Sequence, residues 1–70
     1  MVGGYTAIQI KRAIDDMIDV REGLLRARGV TTKKLANIRR EATEYIRNNP
    51  SYPLTTDSLF NLFARIWTEY

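Results

Sequence analysis

Cysteine and histidine, which carry much of protein chemistry, are both missing from these 70 residues. Their absence excludes disulfides, thiolate nucleophiles and every zinc ligand set built on thiolate or imidazole. The most common general base, a histidine near neutral pH, is excluded with them. Glycine occurs four times and proline twice, with no glycine-rich phosphate loop. No apolar run approaches the ~20 residues needed to cross a bilayer. The opening Met1-Val2-Gly3-Gly4 leads straight into an amphipathic segment without the look of a signal peptide, and valine at position 2 fails the myristoylation pattern. These absences set the expectations of no membrane, a cytoplasmic location, no cofactor, no metal and no catalysis.

Acids are also sparse where a metal site would need them. The only close set is Asp15, Asp16 and Asp19, with Lys11 and Arg12 one turn earlier. The spacing predicts a solvated, salt-bridged helix face. A chain of this size buries only roughly 60% of its unfolded surface, and small domains usually add a disulfide, a metal or a partner subunit. With the first two missing, self-association remains, so a homodimer is one expectation.

What the sequence does contain is a helix-start motif used three times. Tyr5-Thr6 precedes Ile10, Val30-Thr31 precedes Leu35, and Leu54-Thr55 precedes Leu59. Each threonine is placed to cap free backbone N–H groups. The apolar residue before it packs on the one five positions later. Gln9 completes a capping box with Thr6. These signals predict an all-α three-helix bundle with helices over about 6–28, 31–48 and 55–70, open to completion by oligomerisation. The chain reads as a single domain, either a complete small protein or part of a longer one.

Gly29 suits a left-handed helix end, and Pro50 stops the second helix. Helix 1 carries a stripe of Ala7, Ile10, Ile14, Met17, Ile18, Leu24 and Leu25. Helix 2 carries a narrower one of Leu35, Ile38, Ala42, Tyr45 and Ile46. The apolar set of helix 3 (Leu59, Phe60, Leu62, Phe63, Ile66, Trp67 and Tyr70) covers roughly 160° of the wheel. So wide a face requires two neighbouring helices, or another chain. Arg21 interrupts the stripe of helix 1, which predicts an ion pair with Glu41 or Glu44, or a place in a partner interface with Phe60, Trp67 and Tyr70.

The net charge of +3 conceals an asymmetry. Six bases and no acid lie between Gly23 and Arg40, leaving five bases against eight acids elsewhere. Arg26 and Arg28 complement the negative end of the helix 1 dipole, whereas Lys33 and Lys34 stand in the first turn of helix 2, against theirs. A site that breaks a local rule is where function is expected. Lys33, Arg40 and Arg47 recur every seven residues with Asn37 between the first two, although Glu44 offsets the last pair. The expected nucleic-acid-binding set is therefore Arg26, Arg28, Lys33, Lys34, Asn37 and Arg40. In it the bases contact phosphate, and Asn37 is placed to read a base edge. The first functional expectation is a non-catalytic nucleic-acid-binding or regulatory module. The second is a protein-interaction module with an acidic protein or another copy as its partner.

The stretch Leu24-Leu25-Arg26-Ala27-Arg28-Gly29-Val30-Thr31-Thr32-Lys33-Lys34-Leu35-Ala36 resembles the junction of the first two helices in helix-turn-helix repressor domains. There an arginine-rich helix end, a glycine, an apolar residue and a capping hydroxyl precede a Leu-Ala helix, and the resemblance implies DNA binding. It stops at Ile38, where those domains turn sharply into a recognition helix and this sequence continues its helical pattern. With the tight turn centred on Gly29, the residues Gly29, Val30, Leu35 and Ile38 fit the motif while Leu25 and Arg28 do not. The family is not assigned on this match.

Overall fold

A computed structural model describes residues 5–69. Its elements, in chain order, are α1 (Ala7–Ala27), α2 (Thr32–Asn48) and α3 (Thr56–Thr68). Each begins as the sequence predicts. Thr6, Thr31 and Thr55 are the N-caps, with extended backbone and a side-chain oxygen accepting from the N–H of Gln9, Lys34 and Ser58 respectively. The reciprocal bond from the Thr6 N–H to Gln9 closes the capping box at 2.9 Å. Tyr5, Val30 and Leu54, the residues before the caps, all pack against the core. Tyr70 and Met1–Gly4 lie outside the described residues.

The end of α1 is a Schellman turn. The Val30 N–H donates to the Leu25 carbonyl at 3.1 Å and the Gly29 N–H to the Arg26 carbonyl at 3.0 Å. Gly29 has φ +76°, the left-handed region in which a Cβ is strained. This turn reverses the chain, and the ion pair between Arg39 and Asp15 then ties α2 back along α1. The second helix runs unbroken through Ile38 to Asn48, so no tight turn of the helix-turn-helix kind follows Ile38.

The core takes three apolar side chains from each helix: Ile10, Ile14 and Met17; Ile38, Ala42 and Ile46; Leu59, Leu62 and Phe63. Burying one such side chain contributes about 1.5–3 kcal/mol for the larger ones. No polar or charged side chain among the described residues is buried. Third-helix residues Phe60, Ile66 and Trp67 are half-buried at the edge of this cluster. The wide apolar face of α3 is thus shared between α1 and α2. The loop between α2 and α3 is held by Tyr52, whose hydroxyl donates to the Ser58 carbonyl at 2.7 Å and whose ring meets Tyr45 edge-on. Burial raises the Tyr52 hydroxyl above its ordinary pKa.

Two expectations require correction. Leu24 does not join the stripe of α1 but is 42% exposed, because the helix kinks at Arg21 (φ −109°, ψ 18°) and its phase changes beyond that point. Ala7 and Tyr45 are also exposed. Arg21 pairs with neither Glu41 nor Glu44. Its guanidinium reaches Asp57 in the first turn of α3 at 2.5 Å, because α3, not α2, covers that side of α1. Asp57 also stands at the positive end of the α3 dipole, which favours its charge.

Two glycines give opposite predictions. Gly29→Ala places a Cβ in the left-handed region and should cost about 1–2 kcal/mol. Gly23 lies inside α1 with nothing within 4 Å of where its Cβ would stand. Gly23→Ala should therefore stabilise by about 0.5–1 kcal/mol. Urea unfolding followed by the fluorescence of Trp67 measures both.

Candidate nucleic-acid interface

The six bases between Gly23 and Arg40 divide by what they touch. Arg26 lies at the last turn of α1 and pairs with Glu22, one turn back, at 3.2 Å. Glu22 falls just outside the acid-free window in sequence, but space brings it into the corner. Together with Arg26 it rims a groove of about 140 Å³ floored by Ile18, Leu25, Val30 and Leu35. Arg28 is engaged on α3, with its guanidinium 5.7 Å from the centroid of the Phe60 ring. Arg21 approaches the same ring at 5.5 Å, and Trp67 meets Phe60 edge-on at 5.7 Å. Two cations over one aromatic ring contribute about 0.5–1 kcal/mol each at a partly exposed site.

Arg39 is held by Asp15 across the α1–α2 contact. The hydrogen bond from Arg39, and after it the one from Lys11, keeps the Asp15 carboxyl below its ordinary pKa. Of the expected salt-bridged face, Lys11 pairs with Asp15 at 3.0 Å, while Asp16, Asp19 and Arg12 form no ion pair among the described residues. No cluster of metal-ligating side chains occurs among the described residues.

What remains is Lys33, Lys34 and Arg40. All three are exposed, and none forms an ion pair with a described residue. Thr31 caps the helix end on which the lysines stand, its oxygen accepting from the Lys34 N–H at 3.2 Å. About two turns on, Arg40 donates to the Asn37 side-chain oxygen at 3.5 Å. Lys33, Asn37 and Arg40 share the side of α2 opposite Ile38, Ala42 and Ile46, with exposed Ala36 among them. A small residue there lets a ligand approach the helix closely.

Of the predicted binding set, the structure brings together Lys33, Lys34, Asn37 and Arg40 and gives Arg26 and Arg28 other partners. Of the predicted partner interface, Arg21, Phe60 and Trp67 do form one cluster, but it is half-buried and closed by Arg21 and Arg28. Sequence reasoning missed the pairing of Arg28 with Phe60. No local signal marks it, since 32 positions separate the two residues. Among the described residues no helix is long and apolar enough to cross a membrane. No protein-family model, curated protein or solved structure matches this chain.

The lowered Asp15 carboxyl gives a pH prediction. A depressed folded value contributes stability that is present above the ordinary value of 3.8 and is lost as pH falls through the lowered one. Arg39→Ala should return the Asp15 carboxyl towards its ordinary value in an NMR titration. It should also flatten the acid limb of the stability curve below pH 3.8 relative to the native chain.

Proposed function

We propose that this protein is a non-catalytic nucleic-acid-binding module that holds the phosphate backbone on the N-terminal half of α2. The observation that carries the reading is the sorting of cations described above. Of the six bases between Gly23 and Arg40, Arg26 and Arg39 pair with carboxylates and Arg28 lies over an aromatic ring, which leaves Lys33, Lys34 and Arg40 exposed and without an ion pair on the N-terminal half of α2. Nothing within the monomer favours two lysines there, because the helix dipole is already positive at that end. An anion resolves that conflict, since the dipole and the lysines attract it together. Asn37, held beside Arg40, is the group on this face suited to hydrogen-bond a base edge, with adenine the matching partner.

Three cations make a small footprint. Binding of this kind has dissociation constants on the order of 10⁻⁴ to 10⁻⁶ M for a non-specific duplex, with a steep dependence on salt. Each neutralised phosphate contributes about −0.9 to the slope of log K against log salt, so the native chain should give roughly −2 to −3. Fluorescence anisotropy of a labelled duplex across a sodium chloride series measures this slope, and a single-stranded RNA run in parallel separates the two ligand classes. Lys33→Glu with Lys34→Glu should abolish binding while far-UV circular dichroism stays unchanged. Affinity that survives the double change, or that ignores salt, eliminates the proposal. Asn37→Ala should leave the salt slope intact and weaken only sequence preference.

A further inference from the structure

Apart from the single exposed side chains of Ile8 and Tyr45, the large apolar residues that the bundle leaves uncovered adjoin on α1, away from the proposed interface. Val20 is 67% and Leu24 42% exposed, and Gly23 and Ala27 beside them are exposed as well. All four lie exposed along the C-terminal part of α1, Val20 just before the kink at Arg21 and Gly23, Leu24 and Ala27 after it. A lone exposed apolar side chain is ordinary. Here two adjoin across one turn and flank a glycine inside a helix. That glycine costs α1 about 1 kcal/mol against alanine, and the empty space around its missing Cβ shows that no contact within the monomer requires it. A glycine on a helix face permits close approach by another backbone.

The charges beside this face identify the occupant. On its N-terminal side are Asp16 and Asp19, both exposed and without an ion pair among the described residues. On its C-terminal side is Arg26, whose described partner is Glu22 of the same helix. One helix face that is acidic at one end and basic at the other is complementary to itself when reversed. Laid antiparallel with Val20 opposite Leu24 of the second copy, α1 brings Asp19 level with Leu25 of that copy, next to its Arg26. A two-fold axis repeats the pairing. A parallel arrangement would set Asp19 against Asp19 and Arg26 against Arg26, which is repulsive.

We infer that two copies of this chain associate through Val20, Gly23, Leu24 and Ala27 of α1, antiparallel, with Asp19 of each copy paired to Arg26 of the other. The inference uses neither Lys33, Lys34 nor Arg40 and stands apart from nucleic-acid binding. A two-turn face is well below the ~800 Å² per partner of a standard interface. Association is therefore weak, with a dissociation constant on the order of 0.1–1 mM.

Sedimentation equilibrium of the full chain, from micromolar to millimolar concentration, is the test. The native chain should rise from monomer towards twice its mass. Val20→Asp with Leu24→Glu should remain monomeric with unchanged circular dichroism, since both side chains are exposed. Asp19→Arg and Arg26→Asp should each weaken association several-fold, and the two reversals together should restore it. A native chain that stays monomeric throughout overturns the proposal. So does association that survives Val20→Asp with Leu24→Glu, or a double reversal no stronger than the single changes.

Discussion

Phe63 lies fully buried where the three helices meet, among Ile10, Ile14 and Met17 of α1 and Ile38, Ala42 and Ile46 of α2. The remaining structure depends on this contact because the chain has nothing to substitute for it. It has no disulfide, and its described residues contain neither a metal cluster nor a buried polar network. Truncating a buried phenylalanine costs about 3–5 kcal/mol, a large share of the ~5–15 kcal/mol that holds a folded domain together. The polar features therefore sit around the core and not in it. The Schellman turn aims α2 back along α1, Tyr52 latches the second loop onto α3, and ion pairs close the seams. Exposed pairs of this kind add only about 0–1 kcal/mol each, so their role is orientation more than stability.

Those seams also determine which charges are left over. Arginine, planar and weakly hydrated, serves both as a fork for carboxylates and as a plate against aromatic rings. Arg21 does both at once, bound to Asp57 and lying over Phe60. Arg28 and Arg39 likewise turn to partners on other helices. Lysine is a compact, strongly hydrated charge on a flexible stem, and Lys33 and Lys34 stay in solvent. A net charge of +3 would not indicate a binding surface. After internal pairing, Lys33, Lys34 and Arg40 stay together on the N-terminal half of α2, while Arg12, Arg47 and Arg65, likewise without an ion pair among the described residues, lie elsewhere.

The parts of the fold that were legible in the sequence are those set by local chemistry. Thr6, Thr31 and Thr55 each act on backbone groups within one turn, so their roles are written in four consecutive residues. Gly29 is legible for the same reason. The stripe of α1 is readable from Ile10 to Ile18 and again at Leu25, and fails at exposed Ala7 and at Leu24, the latter because the kink at Arg21 shifts the phase on which the wheel depends. Arg21 is recognisable as anomalous from its position, but its partner is not, since Asp57 is fixed by how α3 crosses α1 and not by spacing. The candidate site was legible to the same degree. Lys33, Lys34, Asn37 and Arg40 share one helix and keep their predicted relation. Arg26 and Arg28 leave the set for Glu22, invisible to a window that began at Gly23, and for Phe60, invisible to any local rule.

The two uncovered surfaces lie on different helices, which bears on how so small a footprint could work. Three cations give weak binding in any geometry, and adding more to α2 would worsen repulsion at a helix end already positive. A second copy adds cations without that cost. The inferred pairing uses Val20 and Leu24 of α1 and none of Lys33, Lys34 or Arg40 of α2. Two weak patches on one particle bind a continuous polyanion at an effective concentration set by their spacing, and the gain can exceed either affinity by about 10²–10⁴. A weak dimer is then no obstacle, because a ligand spanning both copies would stabilise it by linkage in proportion to that gain.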